Sequence, residues 1–90
     1  MRTRPLPLRK SHGTGHNLHP DTERVPAYAL REGDVVLESY GHPAVITHIR
    51  GVHRLELRAR YIWQQPHETP WTLGRYNAVR MFDRALPGEY

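Results

Sequence analysis

Ninety residues with a formal charge of +4 leave room for one hydrophobic core and no second folded unit. The chain has no cysteine, so a disulfide framework and a thiolate metal site are both excluded. No apolar run approaches the length of a membrane span, and no apolar stretch of the signal-peptide kind follows the charged start, so the expected location is cytoplasmic.

Taken in chain order, residues 1–24 read as a flexible, basic, His-rich arm. All the aromatic side chains lie after position 27. Before it, Met1, Leu6, Leu8 and Leu18 offer too little apolar surface to offset an ordering cost of about 1–2 kcal/mol per residue. The arm also holds much of the positive charge, with Arg2, Arg4, Arg9, Lys10 and Arg24 against Asp21 and Glu23. A basic arm on a near-neutral domain points to a polyanion, or equally to a solubilising tail. His12, His16 and His19 follow one another at metal-ligand spacing, with Asp21 beyond. Gly13, Thr14 and Gly15 between them disfavour the helix that such spacing needs, so no metal site and no cofactor is expected.

Residues 25–90 read as the folded domain. Arg31-Glu32-Gly33-Asp34 is a turn with a positive φ expected at Gly33, and the Asp is expected to bond the backbone after it. Val35–Leu37 follows as a strand. Tyr40-Gly41-His42-Pro43 turns the chain into a second strand, Ala44–Arg50. The next stretch is ambiguous. Val52, Leu55, Ala59 and Ile62 make a passable helical stripe, whereas Leu55, Leu57, Ala59, Tyr61 and Trp63 alternate without a break against Arg54, Glu56, Arg58 and Arg60. The alternation favours a strand. Pro66 and Pro70 make a loop, Trp71–Leu73 a fourth strand, Gly74–Asn77 a turn, and Ala78–Asp83 a last strand. Five short strands in a domain of this size predict a mostly β fold, a small barrel that hides its edges.

The runs Leu30-Arg31-Glu32-Gly33-Asp34-Val35-Val36-Leu37 and Gly41-His42-Pro43-Ala44-Val45-Ile46-Thr47 resemble the opening of SH3-like barrels of translation proteins, as in the N-terminal domain of elongation factor P and in KOW-type modules. The resemblance implies a five-stranded SH3-like barrel. It departs from elongation factor P between the central strands, where that family carries a long basic loop with a modified lysine and this chain has only Arg50-Gly51-Val52-His53-Arg54. The fold therefore carries over, and the family's functional residues do not.

Catalytic patterns fail one by one. Ser11 and Ser39 have no nucleophile-elbow context, no phosphate-binding loop is present, and Glu56 and Glu68 have no evident partner. The expectation is a non-enzymatic binding module contacting nucleic acid or a nucleoprotein complex through outward Arg50, Arg54, Arg58, Arg60 and Arg75, aided by Arg9 and Lys10 of the arm. The same arginines could equally form a solvated, edge-protecting face. Tyr61 and Trp63 share the core face of their strand, so packing is expected of them rather than stacking on a base. The alternative from another class is a structural or adaptor protein, such as a small phage or virion component docking on protein subunits.

Overall fold

A computed structural model describes residues 18–90 of the chain. Arg9, Lys10, His12 and His16 lie outside the described residues, as does most of the expected arm. The described part is mostly β, with six strands: β1 (Thr22–Pro26), β2 (Val35–Leu37), β3 (Pro43–Arg50), β4 (Arg54–Tyr61), β5 (Trp71–Asn77) and β6 (Met81–Ala85). They form one sheet in the order β1-β6-β2-β3-β4-β5, in which every pairing is antiparallel.

The mostly β class is as expected; the strand count and the closure are not. The extra strand is β1, whose first three residues fall inside the segment read as an arm. Thr22 pairs with Ala85 and Pro26 with Met81, so the sheet begins before the expected boundary at residue 25. β1 carries little apolar surface of its own and is held by its partner. Arg84 of β6 reaches Glu23 at 2.8 Å and Asp34 at 3.4 Å, and Arg24 reaches Asp83 at 3.3 Å. The two end strands, β1 and β5, are not paired with each other, so the sheet stays open. Its edges are blunted by other means: Glu23, Arg24 and Pro26 on β1, and a bulge with a glycine on β5.

Pro26 leads into a single 3₁₀ turn over Ala27–Ala29. It is tied down where Ala27 N–H donates to Arg80 O and Tyr28 N–H to Ala78 O. Gly33 has the expected positive φ, +99°. Asp34 works in the opposite direction to the expectation, since its Oδ2 accepts from the preceding Arg31 N–H at 2.8 Å. The turn is then locked to β3 by Gly33 N–H to Ile46 O and Ile46 N–H to Asp34 O.

The Val52–Gln65 ambiguity resolves to a strand. Leu55, Leu57 and Ala59 are buried on one face of β4 while Arg54 and Arg58 are exposed on the other. The flanking strands each absorb one extra residue to stay in step with it. On β3 the pairing jumps between Ile46 and His48, so Thr47 is the bulged residue. Ala44 and Ile46 before it and Ile49 after it then share the core side. A strict two-residue alternation along β3 would have put Ile49 on the opposite face.

β5 runs through the residues read as a turn. Gly74 pairs with Leu57 in mid-strand, and the tight turn falls later, between Asn77 and Arg80. The last strand therefore starts at Met81 instead of Ala78, and Val79 sits in the turn, exposed. Gly74 is needed because the Tyr76 ring lies back across it. A Cβ there would stand 2.6 Å from the Tyr76 hydroxyl, which donates to Leu73 O at 2.9 Å. Tyr76 meets Phe82 edge to face at 5.0 Å. The core that results joins Val25, Leu30, Val36, Ile46, Leu55, Leu57 and Phe82.

Gly74→Ala must displace the Tyr76 ring and force a positive φ on a residue with a Cβ. It is expected to destabilise the domain by about 1–3 kcal/mol in urea denaturation. Gly74→Ala combined with Tyr76→Ala is expected to cost less than the two single changes together.

Candidate functional site: an arginine face bordered by an aromatic cluster

The register of β3, β4 and β5 decides which of the expected arginines meet. Arg50 pairs with Glu56 and Glu56 with Arg75, so these three form one row across the outer face. His48, Arg58 and Thr72 form the next row by the same pairings. Arg54 lies beyond the first row, opposite Asn77. From Arg54 to Arg60 the outward positions of β4 extend about 20 Å. Four of the seven expected basic residues, Arg50, Arg54, Arg58 and Arg75, thus belong to one surface, and Arg9 and Lys10 lie outside the described residues.

The charges on this face are poorly compensated. Glu56 is its acid, and it stands 4.0 Å from Arg75. Among the described residues, Arg50, Arg54 and Arg58 have no ion-pair partner. Two clefts of about 230 Å³ each open between the side chains, one lined by Arg50, Arg54, Glu56 and Arg75 and the other by His48, Arg50, Glu56 and Arg58. Arg60 is set apart, half-buried, with its Nη1 donating to Glu68 O at 3.3 Å.

The aromatic residues depart from expectation. β4 ends at Tyr61, where Tyr61 N–H donates to Gln64 Oε1 and Gln64 N–H to Tyr61 O, closing a turn over Ile62 and Trp63. This turn swings Trp63 out of the core direction and lays it on Tyr61, with ring centroids 4.5 Å apart and planes 9° from parallel. Trp63 remains 42% exposed. Trp71 packs against the other flank of Tyr61 at 4.8 Å and donates its Nε1–H to Gln64 Oε1. His42 meets both Tyr61 and Trp63 edge-on, at 5.9 and 5.8 Å.

The group is anchored by Glu38, which the sequence reading did not single out. Its side chain is 6% exposed. Oε1 accepts from Tyr40 N–H at 2.6 Å and His42 N–H at 3.0 Å, and Oε2 accepts from the Tyr61 hydroxyl at 2.9 Å. Burial works to raise the Glu38 carboxyl, and these hydrogen bonds together outweigh it, so the group is held below its ordinary value. Burial and the bond to Glu38 push the Tyr61 phenol up. The sequence signal was the pair Tyr40-x-His42 and Tyr61-x-Trp63, which only the pairing of Ala44 with Tyr61 brings to one place.

Among the described residues, no three His, Asp or Glu side chains stand close enough to hold a metal ion. No protein family, curated protein sequence or solved structure matches this chain.

The folded state lowers the Glu38 carboxyl below its unfolded value. Its contribution to stability is therefore complete above the ordinary glutamate range of about 4.3 and is lost as the pH falls through the lower folded value. Urea denaturation from neutral pH into that acid range should show this loss, and Glu38→Gln should flatten it. Tyr61→Phe, which strips a donor from a buried carboxylate, is expected to cost about 1–3 kcal/mol at neutral pH.

Proposed function

We propose that this protein is a binding module whose outer arginine face contacts the phosphates of a nucleic acid or nucleoprotein complex. The observation that carries this reading is that Arg50, Arg54 and Arg58 lie on one face with no ion-pair partner among the described residues, while Glu56, the acid of that face, stands by Arg75. A face that served only to solvate the sheet would gain from alternating signs, because like charges on neighbouring strands repel. Here a single Glu56 stands among four guanidinium groups. A phosphate backbone supplies the missing counter-charge, and the release of its condensed ions supplies the free energy. Arg9 and Lys10 would add to the same attraction. The order in which β6 returns to lie beside β2 is compatible with the SH3-like arrangement expected from the sequence, a scaffold that suits this role among others.

A second reading, a structural or adaptor protein docked on other subunits, is favoured by one feature. A groove of about 610 Å³ is lined by Ala27, Tyr28, Leu30, Ile49, Val52 and Leu55, with Arg31 and Glu32 as its charged residues. Tyr28 and Val52 at its rim are 63% and 76% exposed.

Binding to duplex DNA, followed by fluorescence anisotropy across a salt series, separates the two. Nucleic-acid contact predicts an affinity that falls steeply with salt. Each phosphate contact contributes about 0.9 to the slope, so Arg50→Gln, Arg54→Gln and Arg58→Gln together should reduce it by about 2–3. The melting temperature should hardly change. A salt-independent association with a protein subunit, unaffected by these substitutions, would favour docking instead.

A further inference from the structure

We infer that the ring cluster at the end of β4 is a stacking platform for an unpaired nucleobase, so that the nucleic acid recognised is single-stranded. This rests on the proposed function above and specifies its ligand.

The rings are arranged as a surface feature. Tyr61 is the half-buried base of the stack, covered by Trp71 on one flank and by Trp63 on a face. Trp63 is packed on Tyr61 through one face and still leaves 42% of its surface in water. Tyr40 is 84% exposed, and His42 bridges it to the stack with centroids 6.5 Å from Tyr40 and 5.8 Å from Trp63. Leaving a large indole and a phenol in water forgoes burial that the core could have used. The base of the cluster and the backbone beneath its exposed rings are held in place. Gln64 Oε1 accepts from both Tyr61 N–H and Trp71 Nε1–H, and Glu38 holds the hairpin that carries Tyr40 and His42. A preorganised ring loses little freedom when it takes a partner.

The choice of ligand follows from charge. Exposed rings also attract cationic groups, through their negative faces. Glu38, the carboxylate beside the rings, has a side chain only 6% exposed with both oxygens accepting hydrogen bonds, so it offers little to a ligand cation. The guanidinium nearest the cluster is that of Arg60, and Glu68, the acid of the same loop, has its carboxylate taken up by Gln64 Nε2 and Gln65 N–H. Arg60 is joined to the cluster through the 62–70 loop, where Arg60 Nη1 donates to Glu68 O and Gln64 Nε2 to Glu68 Oε1. Next along the strand comes Arg58 on the open arginine face. A nucleotide meets both groups around the strand end, its phosphates toward the guanidinium groups and its base on the rings. In a duplex the π-faces are already stacked on each other, so a ring platform selects strands whose bases are free.

The test measures binding of a fluorescein-labelled oligothymidylate and of a labelled duplex of equal length to the full chain, each across a salt series. Tyr40→Ala and Trp63→Ala are each expected to weaken oligothymidylate binding by about tenfold and leave the salt slope unchanged, because stacking releases no counterions. Duplex binding should be unaffected, and Trp63→Phe, which keeps a ring, should retain most of the affinity. Tyr40 is so exposed that its truncation tests the platform even if Trp63→Ala unfolds the loop. Unchanged oligothymidylate binding in Tyr40→Ala and in a folded Trp63→Ala, or an equal loss for duplex, would overturn the platform while leaving the arginine face standing. Wild-type protein that binds neither probe in a salt-dependent way would overturn both.

Discussion

β4 imposes the order on which the rest of the molecule depends. Leu55, Leu57 and Ala59 point one way and Arg54, Glu56, Arg58 and Arg60 the other, with no irregularity between Arg54 and Tyr61. A strand whose faces differ this sharply in transfer free energy has one acceptable orientation, because slipping by one residue would bury guanidinium groups and expose the aliphatic core. Its neighbours adapt to it. β3 spends an extra residue at Thr47 and β5 another at Leu73, and each bulge returns the following side chains to the face that β4 demands. Core and arginine face are therefore two consequences of one pattern.

Buried and half-buried charges serve as ties between segments distant in sequence. Arg84 joins β1, β6 and the Gly33-Asp34 turn through Glu23 and Asp34, and its Nη1 also reaches Ala29 O. Glu38 joins the β2–β3 hairpin to the end of β4 through Tyr61. Both link elements whose hydrophobic contact is small, where a hydrogen-bonded ion holds geometry that packing alone would leave loose. The Glu38 tie also holds the Tyr61 ring by its hydroxyl and the backbone that carries Tyr40 and His42.

The positive face and the aromatic cluster meet at Arg60 and Tyr61, consecutive residues that point to opposite sides of β4. The strand end is where a sheet allows this, since beyond Tyr61 the chain leaves the ladder and a side chain is no longer confined to one face. The turn closed by Gln64 brings Trp63 round to Tyr61. The ring cluster and the arginine face therefore lie on opposite sides of β4 and approach each other at the strand end, through Arg60 and the 62–70 loop.

The amino-acid sequence by itself determined the β class, the orientation of β4, the Gly33 turn and the set of outward arginines, because alternation and turn chemistry are local properties of a few consecutive residues. Only the tertiary structure decided the rest. Thr22–Pro26 became a strand because β6 and Arg84 were there to hold it. Gly74 stayed in β5 because the Tyr76 ring covers it, although its local signal was that of a turn. Trp63 left the core face because the ladder ended two residues earlier, and Tyr40 joined it because Ala44 pairs with Tyr61. Each of these depends on which segments become neighbours, and strand pairing, unlike periodicity, is set by the free energy of the whole sheet.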